Sequence, residues 1–134
     1  FSDIIYVHNE IKNKDKVINM IKEKKKIPGI VLHSIFDYPD IESYLKGFEQ
    51  ILVLSIEKPG ISGQEFNEKS YKLIERINNL QNRNRFSLCV DGGVKSKIIN
   101  KFISEKVVSG SDVLNSEHPI RKIMMLQTVA RYEK

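Results

Sequence analysis

Apolar residues in this chain gather into five short runs, at 4–7, 29–32, 51–56, 86–90 and 106–109. Val, Ile and Leu dominate them, with little polar alternation. A strand wetted on one face alternates, whereas one covered on both faces does not, so the runs read as strands of a parallel sheet. The stretches between them carry helical spacing. Residues 15–24 place Val17, Ile18 and Ile21 on one side, and 39–48 set Ile41, Tyr44, Leu45 and Phe48 at i, i+3, i+4, i+7. Tyr71, Ile74 and Ile77 mark a third helix over 68–80. A fourth is predicted from a Ser96 cap, burying Ile98, Ile99, Phe102 and Ile103. The last starts at Pro119, a favoured first helical position, and turns Ile120, Ile123 and Met124 inward.

Strict β-α alternation with short connections means an α/β fold with crossover helices. A doubly wound open sheet and part of a (β/α) barrel both satisfy it. A length of 134 residues suits one domain spanning 1–134, and is short of the roughly 200 that a closed eight-stranded barrel needs.

Three successive runs end in glycine-bearing loops. Residues 53–63 read V-L-S-I-E-K-P-G-I-S-G, 88–93 read L-C-V-D-G-G, and 107–111 read V-V-S-G-S. Main-chain amides exposed by glycine at the carboxyl ends of parallel strands make a cradle for phosphate. If the three loops share one rim, the chain holds a phosphorylated small molecule. Asp91 at such an end lies on the face where barrels carry their chemistry. The same residue before Gly-Gly also suits an Asx-turn, so its type alone leaves both roles open.

Composition narrows the partners. Lys and Arg number 22 against 17 Asp and Glu, for a net charge of +5. The lysines are scattered over helix faces, and the dense run at 22–26 falls at a helix end, where cations complement the dipole. Neither aromatic interleaving nor a reading motif accompanies the charge, so no specific nucleic-acid partner is expected. Cys89 is the single cysteine, which rules out an intramolecular disulfide and fits a reducing, cytoplasmic setting. It lies within an apolar run and reads as a buried, inert thiol. No apolar stretch is long enough to span a membrane, and no membrane partner is expected. The chain opens on Phe1 rather than Met and so reads as processed, or as part of something longer.

Residues 53–66 (V-L-S-I-E-K-P-G-I-S-G-Q-E-F), 90–93 (V-D-G-G) and 107–119 (V-V-S-G-S-D-V-L-N-S-E-H-P) resemble, in order and spacing, the ribulose-phosphate 3-epimerases. Residues 4–10 and 29–32 extend the likeness over essentially the whole chain. The resemblance implies a partial TIM (β/α) barrel of the ribulose-phosphate-binding type, its five parallel strands corresponding to the fourth through eighth. It implies an isomerase interconverting D-ribulose 5-phosphate and D-xylulose 5-phosphate in the pentose phosphate pathway. One carboxylate removes the C3 proton and a second returns it on the opposite face. A divalent metal assists, zinc first, with iron, manganese or cobalt as alternatives.

Residue by residue, Gly60, Ile61, Ser62 and Gly63 match the loop that closes over the sugar phosphate. Gly92, Gly93, Gly110 and Ser111 match donors to the phosphate oxygens. Asp91 matches the aspartate that binds metal and carries a proton. The match departs from the family at three places: Lys58 looks inserted, Ser62 replaces a glycine, and His33, Ser34 and Ile35 replace an Asn-Pro turn. Leu54 stands where the family has a shielding methionine. The family's opposing aspartate, two metal-binding histidines and substrate-contacting serine come from strands to which nothing here corresponds. His8, His33 and His118 are not read as substitutes, since no H-x-D or H-x-x-x-H spacing occurs.

The expectation is therefore the carboxyl-terminal portion of an epimerase, without turnover on its own, whose open sheet edges invite self-association into a homo-oligomer. The alternatives are an allulose-6-phosphate 3-epimerase or other phosphosugar barrel enzyme, or a non-catalytic phosphate-binding protein.

Overall fold

The five apolar runs form one parallel sheet whose strands stand in sequence order: β1 (Ile4–His8), β2 (Ile27–His33), β3 (Gln50–Leu54), β4 (Ser87–Asp91) and β5 (Lys106–Val108). The computed structural model describes residues 2–132. A doubly wound sheet reverses strand order at a switch point and carries helices on both faces. Here the order never reverses, and right-handed crossovers then stack every helix on the same side. That is barrel winding, and it decides between the two architectures the pattern leaves open.

The winding is visible in the packing. Alternate strand residues Ile30, Leu32, Ile51, Val53, Leu88 and Val90 share a core with Ile41, Leu45, Leu73, Ile74 and Ile77 from the helices. Their neighbours Val31, Leu52, Leu54 and Cys89 form a second apolar layer on the opposite face, with Tyr6 and Ile56 against it. Both faces are apolar, which is why the strands lack alternation.

The helices are α1 (Lys14–Glu23), α2 (Ile41–Leu45), α3 (Lys69–Asn78), α4 (Ser111–Leu114) and α5 (Pro119–Tyr132), with a 3₁₀ turn at Arg83–Arg85. Burial follows the expected stripes in α1, through Ile18 and Ile21, and in α3, through Ile74 and Ile77, where Leu73 is buried as well and Tyr71 is half-buried. Lys22, Lys24 and Lys25 end α1 as foreseen, Lys25 in the left-handed conformation. Helix α2 is one turn instead of three. Lys46 is extended and Gly47 has φ +85°, so the chain leaves the helix there, though Tyr44 and Phe48 still reach the core.

The helix expected after Ser96 does not form. Residues 95–101 make successive tight turns, Ile98 N–H to Lys95 O and Lys101 N–H to Ile98 O. Ile99 and Phe102 are buried, but Ile103 is 61 % exposed. The stretch is rich in β-branched, Ser and Asn residues of low helix propensity. Tertiary bonds also claim its main chain: the Asn78 side chain donates to Ile103 O (2.9 Å), and Glu105 N–H to Leu88 O (3.1 Å). The α5 stripe is shifted as well. Leu126 is buried, with Val129 and Ala130 against the core, while Ile120 and Met124 face outward.

Candidate functional site

Parallel register fixes which residues share a row. His33, Leu54, Asp91 and Val108 pair across β2, β3, β4 and β5 at the carboxyl end of the sheet. Strand side chains alternate, so Asp91 projects to the same face as Cys89, Leu52 and Leu54, away from the helices. It is half-buried over that apolar layer, and burial pushes its carboxyl above the ordinary aspartate value of 3.8. A carboxylate with raised pKa is a better proton acceptor. Cys89, one row below, is a buried thiol pushed up to about 11, first by burial and then by the Asp91 charge, with Lys106 opposing. It is a free, buried thiol, as expected.

Ser55, immediately after β3, ties two of the glycine loops together. Its N–H donates to Asp91 O (2.7 Å), and its hydroxyl is shared between the carbonyls of Asp91 (2.7 Å) and Gly92 (2.6 Å). Its own carbonyl accepts from Asn67 N–H (2.7 Å), so both ends of the 56–66 loop are anchored at one wholly buried residue. No motif points to Ser55. The available signal is a hydroxyl closing an apolar strand, where water would otherwise be needed to satisfy the turning main chain.

Gly93 brings the loops into main-chain contact. It has φ +65°, and a Cβ there would strike Phe66 N while lying 2.7 Å from Glu65 C and 2.8 Å from Phe66 Cα. Above this point Lys95 Nζ meets Glu65 Oε1 at 2.7 Å. Ser109 Oγ donates to Val94 O (2.8 Å), which binds the β5 loop to the β4 loop. The three loops therefore form one connected rim.

The individual positions divide. Gly63 and Ser111 line one open hollow of about 420 Å³, with Lys95, Asp112, Asn115 and Lys122. Gly93 lines an adjoining one, also shared with Lys95, Asp112 and Lys122. Gly60, Ile61 and Ser62 lie at the exposed loop tip. That loop holds its own shape: Gln64 accepts from Lys58 N–H (2.9 Å) and donates to Lys58 O (2.6 Å) and Ile61 O (2.7 Å). Gly92 approaches Ile56 Cγ2, 2.5 Å from where a Cβ would sit. Gly110 differs from the others. Its φ is −88° and nothing lies within 4 Å of a Cβ, so neither conformation nor packing requires glycine there.

His33 shares the register row of Asp91, two strands away, but its ring is engaged elsewhere. His33 is buried with Nε2 against Ile56 O (2.7 Å), a hydrogen-bonded role at the strand end. His8 pairs with Glu10 at 3.5 Å and His118 is exposed. Among the described residues no three His, Cys, Asp or Glu side chains gather closely enough to hold a metal ion. No helix among them is long and apolar enough to cross a membrane.

A parallel sheet in unreversed strand order, with its helices packed against one face, defines part of a (β/α) barrel. Solved structures agree on the fold. The 3-hexulose-6-phosphate synthase of Salmonella typhimurium superposes with TM-score 0.72 at 17 % identity, over 96 % of this chain and 62 % of that one. The protein named KGPDC from Streptococcus mutans gives 0.59 at 15 % identity, over 97 % and 61 %. The chain belongs to the ribulose-phosphate 3 epimerase family, whose sequence model matches residues 1–114. Ribulose-phosphate 3-epimerases from Helicobacter pylori strains J99 and 26695 are each 32 % identical over 130 residues, 93 % of this chain. The chain spans 59 % of the length of these curated relatives.

Proposed function

We propose that residues 1–134 fold as one domain carrying the phosphate cradle and one proton-transfer group of a ribulose-phosphate 3-epimerase. The substrate is a pentulose phosphate, D-ribulose 5-phosphate or D-xylulose 5-phosphate, handled in the cytoplasm as part of the pentose phosphate pathway. The observation that carries this reading is the joining of three glycine loops beside Asp91 at the carboxyl edge of the sheet.

Amides and hydroxyls of Gly63, Gly92, Gly93, Gly110 and Ser111 donate to the ester oxygens, and the 60–63 loop covers the sugar. This places C3, alpha to the C2 carbonyl, near the Asp91 carboxylate. Asp91 accepts the C3 proton, the electron pair moves onto the carbonyl oxygen as an enediolate, and a protonated acid on the opposite face delivers a proton to C3 as the carbonyl re-forms, inverting C3. The raised pKa of Asp91 narrows the gap between base and carbon acid. Leu54, beside Asp91 in the register row, shields the planar intermediate from water. Asp91 would supply one ligand to a divalent ion such as zinc. Among the described residues no further His, Cys, Asp or Glu side chains join it to complete a metal centre.

The test is titration of the chain with D-ribulose 5-phosphate, with allulose 6-phosphate in parallel, followed by exchange of the C3 hydrogen in deuterated water. Gly110→Val is expected to abolish binding without unfolding the chain. Asp91→Asn is expected to retain binding and lose exchange. Undiminished affinity in Gly110→Val refutes the cradle. Binding without Asp91-dependent exchange leaves a non-catalytic phosphate-binding protein.

A further inference from the structure

Lys95, Asp112 and Lys122 are common to the hollow of Gly63 and Ser111 and the hollow of Gly93. Two lysines and one aspartate line the first hollow. Lys122 is already matched, since its Nζ lies 3.1 Å from Asp112 Oδ2 and both side chains are largely buried. That pair is electrostatic alone, because Oδ2 has no hydrogen-bond partner among the described residues. The remaining cation is Lys95, whose one ion-pair partner among the described residues is Glu65, with a side chain 81 % exposed, although the Asp112 charge also attracts it. A contact to so exposed a carboxylate is weak, and screening by solvent and salt weakens it further. A phosphate ester dianion offers twice the charge and three acceptor oxygens. The four-carbon stem of lysine lets its ammonium swing without moving the main chain.

We propose that Lys95 is an anion-binding residue of this site, its ammonium exchanging Glu65 for the phosphate monoester that the Gly63 loop and Ser111 hold. The exchange rests on the phosphate-cradle reading above. It couples ligand arrival to the 56–66 loop, because Glu65 is the loop residue that Lys95 releases.

The test measures affinity of the full 134-residue chain for D-ribulose 5-phosphate and for inorganic phosphate, at two salt concentrations. Lys95→Ala is expected to weaken both about tenfold and to flatten the salt dependence, with Lys95→Arg restoring most of the loss. Glu65→Gln is expected to tighten both about two- to fivefold, since it frees the ammonium from a weak competitor. Lys24→Ala, which removes a charge far from the loops, leaves affinity unchanged. Opposite signs for the Lys95 and Glu65 variants support the exchange. Weakening in both makes the pair a structural latch and overturns it, as does an equal loss in Lys24→Ala. If Lys95→Ala binds normally while Gly110→Val does not, the Lys95 role falls and the cradle stands. If the unmodified chain binds neither probe, both fall together.

Discussion

Gly93→Ala is the substitution that most directly tests the joining of the loops. Two costs add. An L-residue held at φ +65° is strained by about 1–2 kcal/mol. The new methyl must also displace main-chain atoms of Glu65 and Phe66, which are not flexible side-chain ends, and overpacking of this kind costs about 1–3 kcal/mol. The sum is about 2–5 kcal/mol, or roughly 8–20 °C in Tm for a domain of this size. Two other glycines calibrate it. Gly47 has φ +85° with nothing within 4 Å of a Cβ, so Gly47→Ala isolates the conformational cost of about 1–2 kcal/mol. Gly110→Ala has neither cost and is expected within about 0.5 kcal/mol of the parent. Urea unfolding followed by circular dichroism at equal protein concentration gives all three values. If Gly93→Ala is no less stable than Gly47→Ala, Phe66 does not lie against Gly93 and the rim is not one structure.

Other outcomes follow from the same contacts. Ser55→Ala leaves Gly92 O without its donor inside the protein, and is expected to lose about 1–3 kcal/mol in denaturant and to weaken phosphosugar binding. Asp91 has a raised folded pKa, so the native state binds its proton more tightly than the unfolded chain. Stability from this group is present at low pH and falls as pH rises from 3.8 through the folded value. Asp91→Asn should therefore melt higher than the parent at pH 7, with the difference vanishing below pH 3.8; a lower melt at pH 7 contradicts the burial argument. Glu105 works in the opposite sense. Burial opposes its charge, but the Leu88 N–H (2.6 Å) and the Arg83 guanidinium (2.7 Å) together hold its carboxyl below the usual 4.5. Glu105→Ala orphans the Leu88 amide and is expected to cost about 1–3 kcal/mol at pH 7, a gap that narrows as acid titrates the parent's carboxylate through its lowered value.

Much of this molecule is written locally. Runs of Val, Ile and Leu become strands because a doubly covered strand needs no polar face, and α1 and α3 follow from stripes at helical spacing. Asp91 and the three glycine loops could be placed at strand ends from the chain alone, since each motif abuts its strand directly. Local information fails where partners are distant. The 95–104 segment has a helical stripe, yet Asn78 takes its Ile103 carbonyl, Leu88 takes the N–H of Glu105 just beyond it, and it turns instead. Ser55 is an ordinary serine until the carbonyls of Asp91 and Gly92 arrive from 36 and 37 positions away. Winding direction is the clearest case. Hydrophobic spacing is identical for sheets that reverse and sheets that do not, because each strand senses only that its faces are covered. Which elements cover them depends on crossover geometry, and only the assembled sheet decides that.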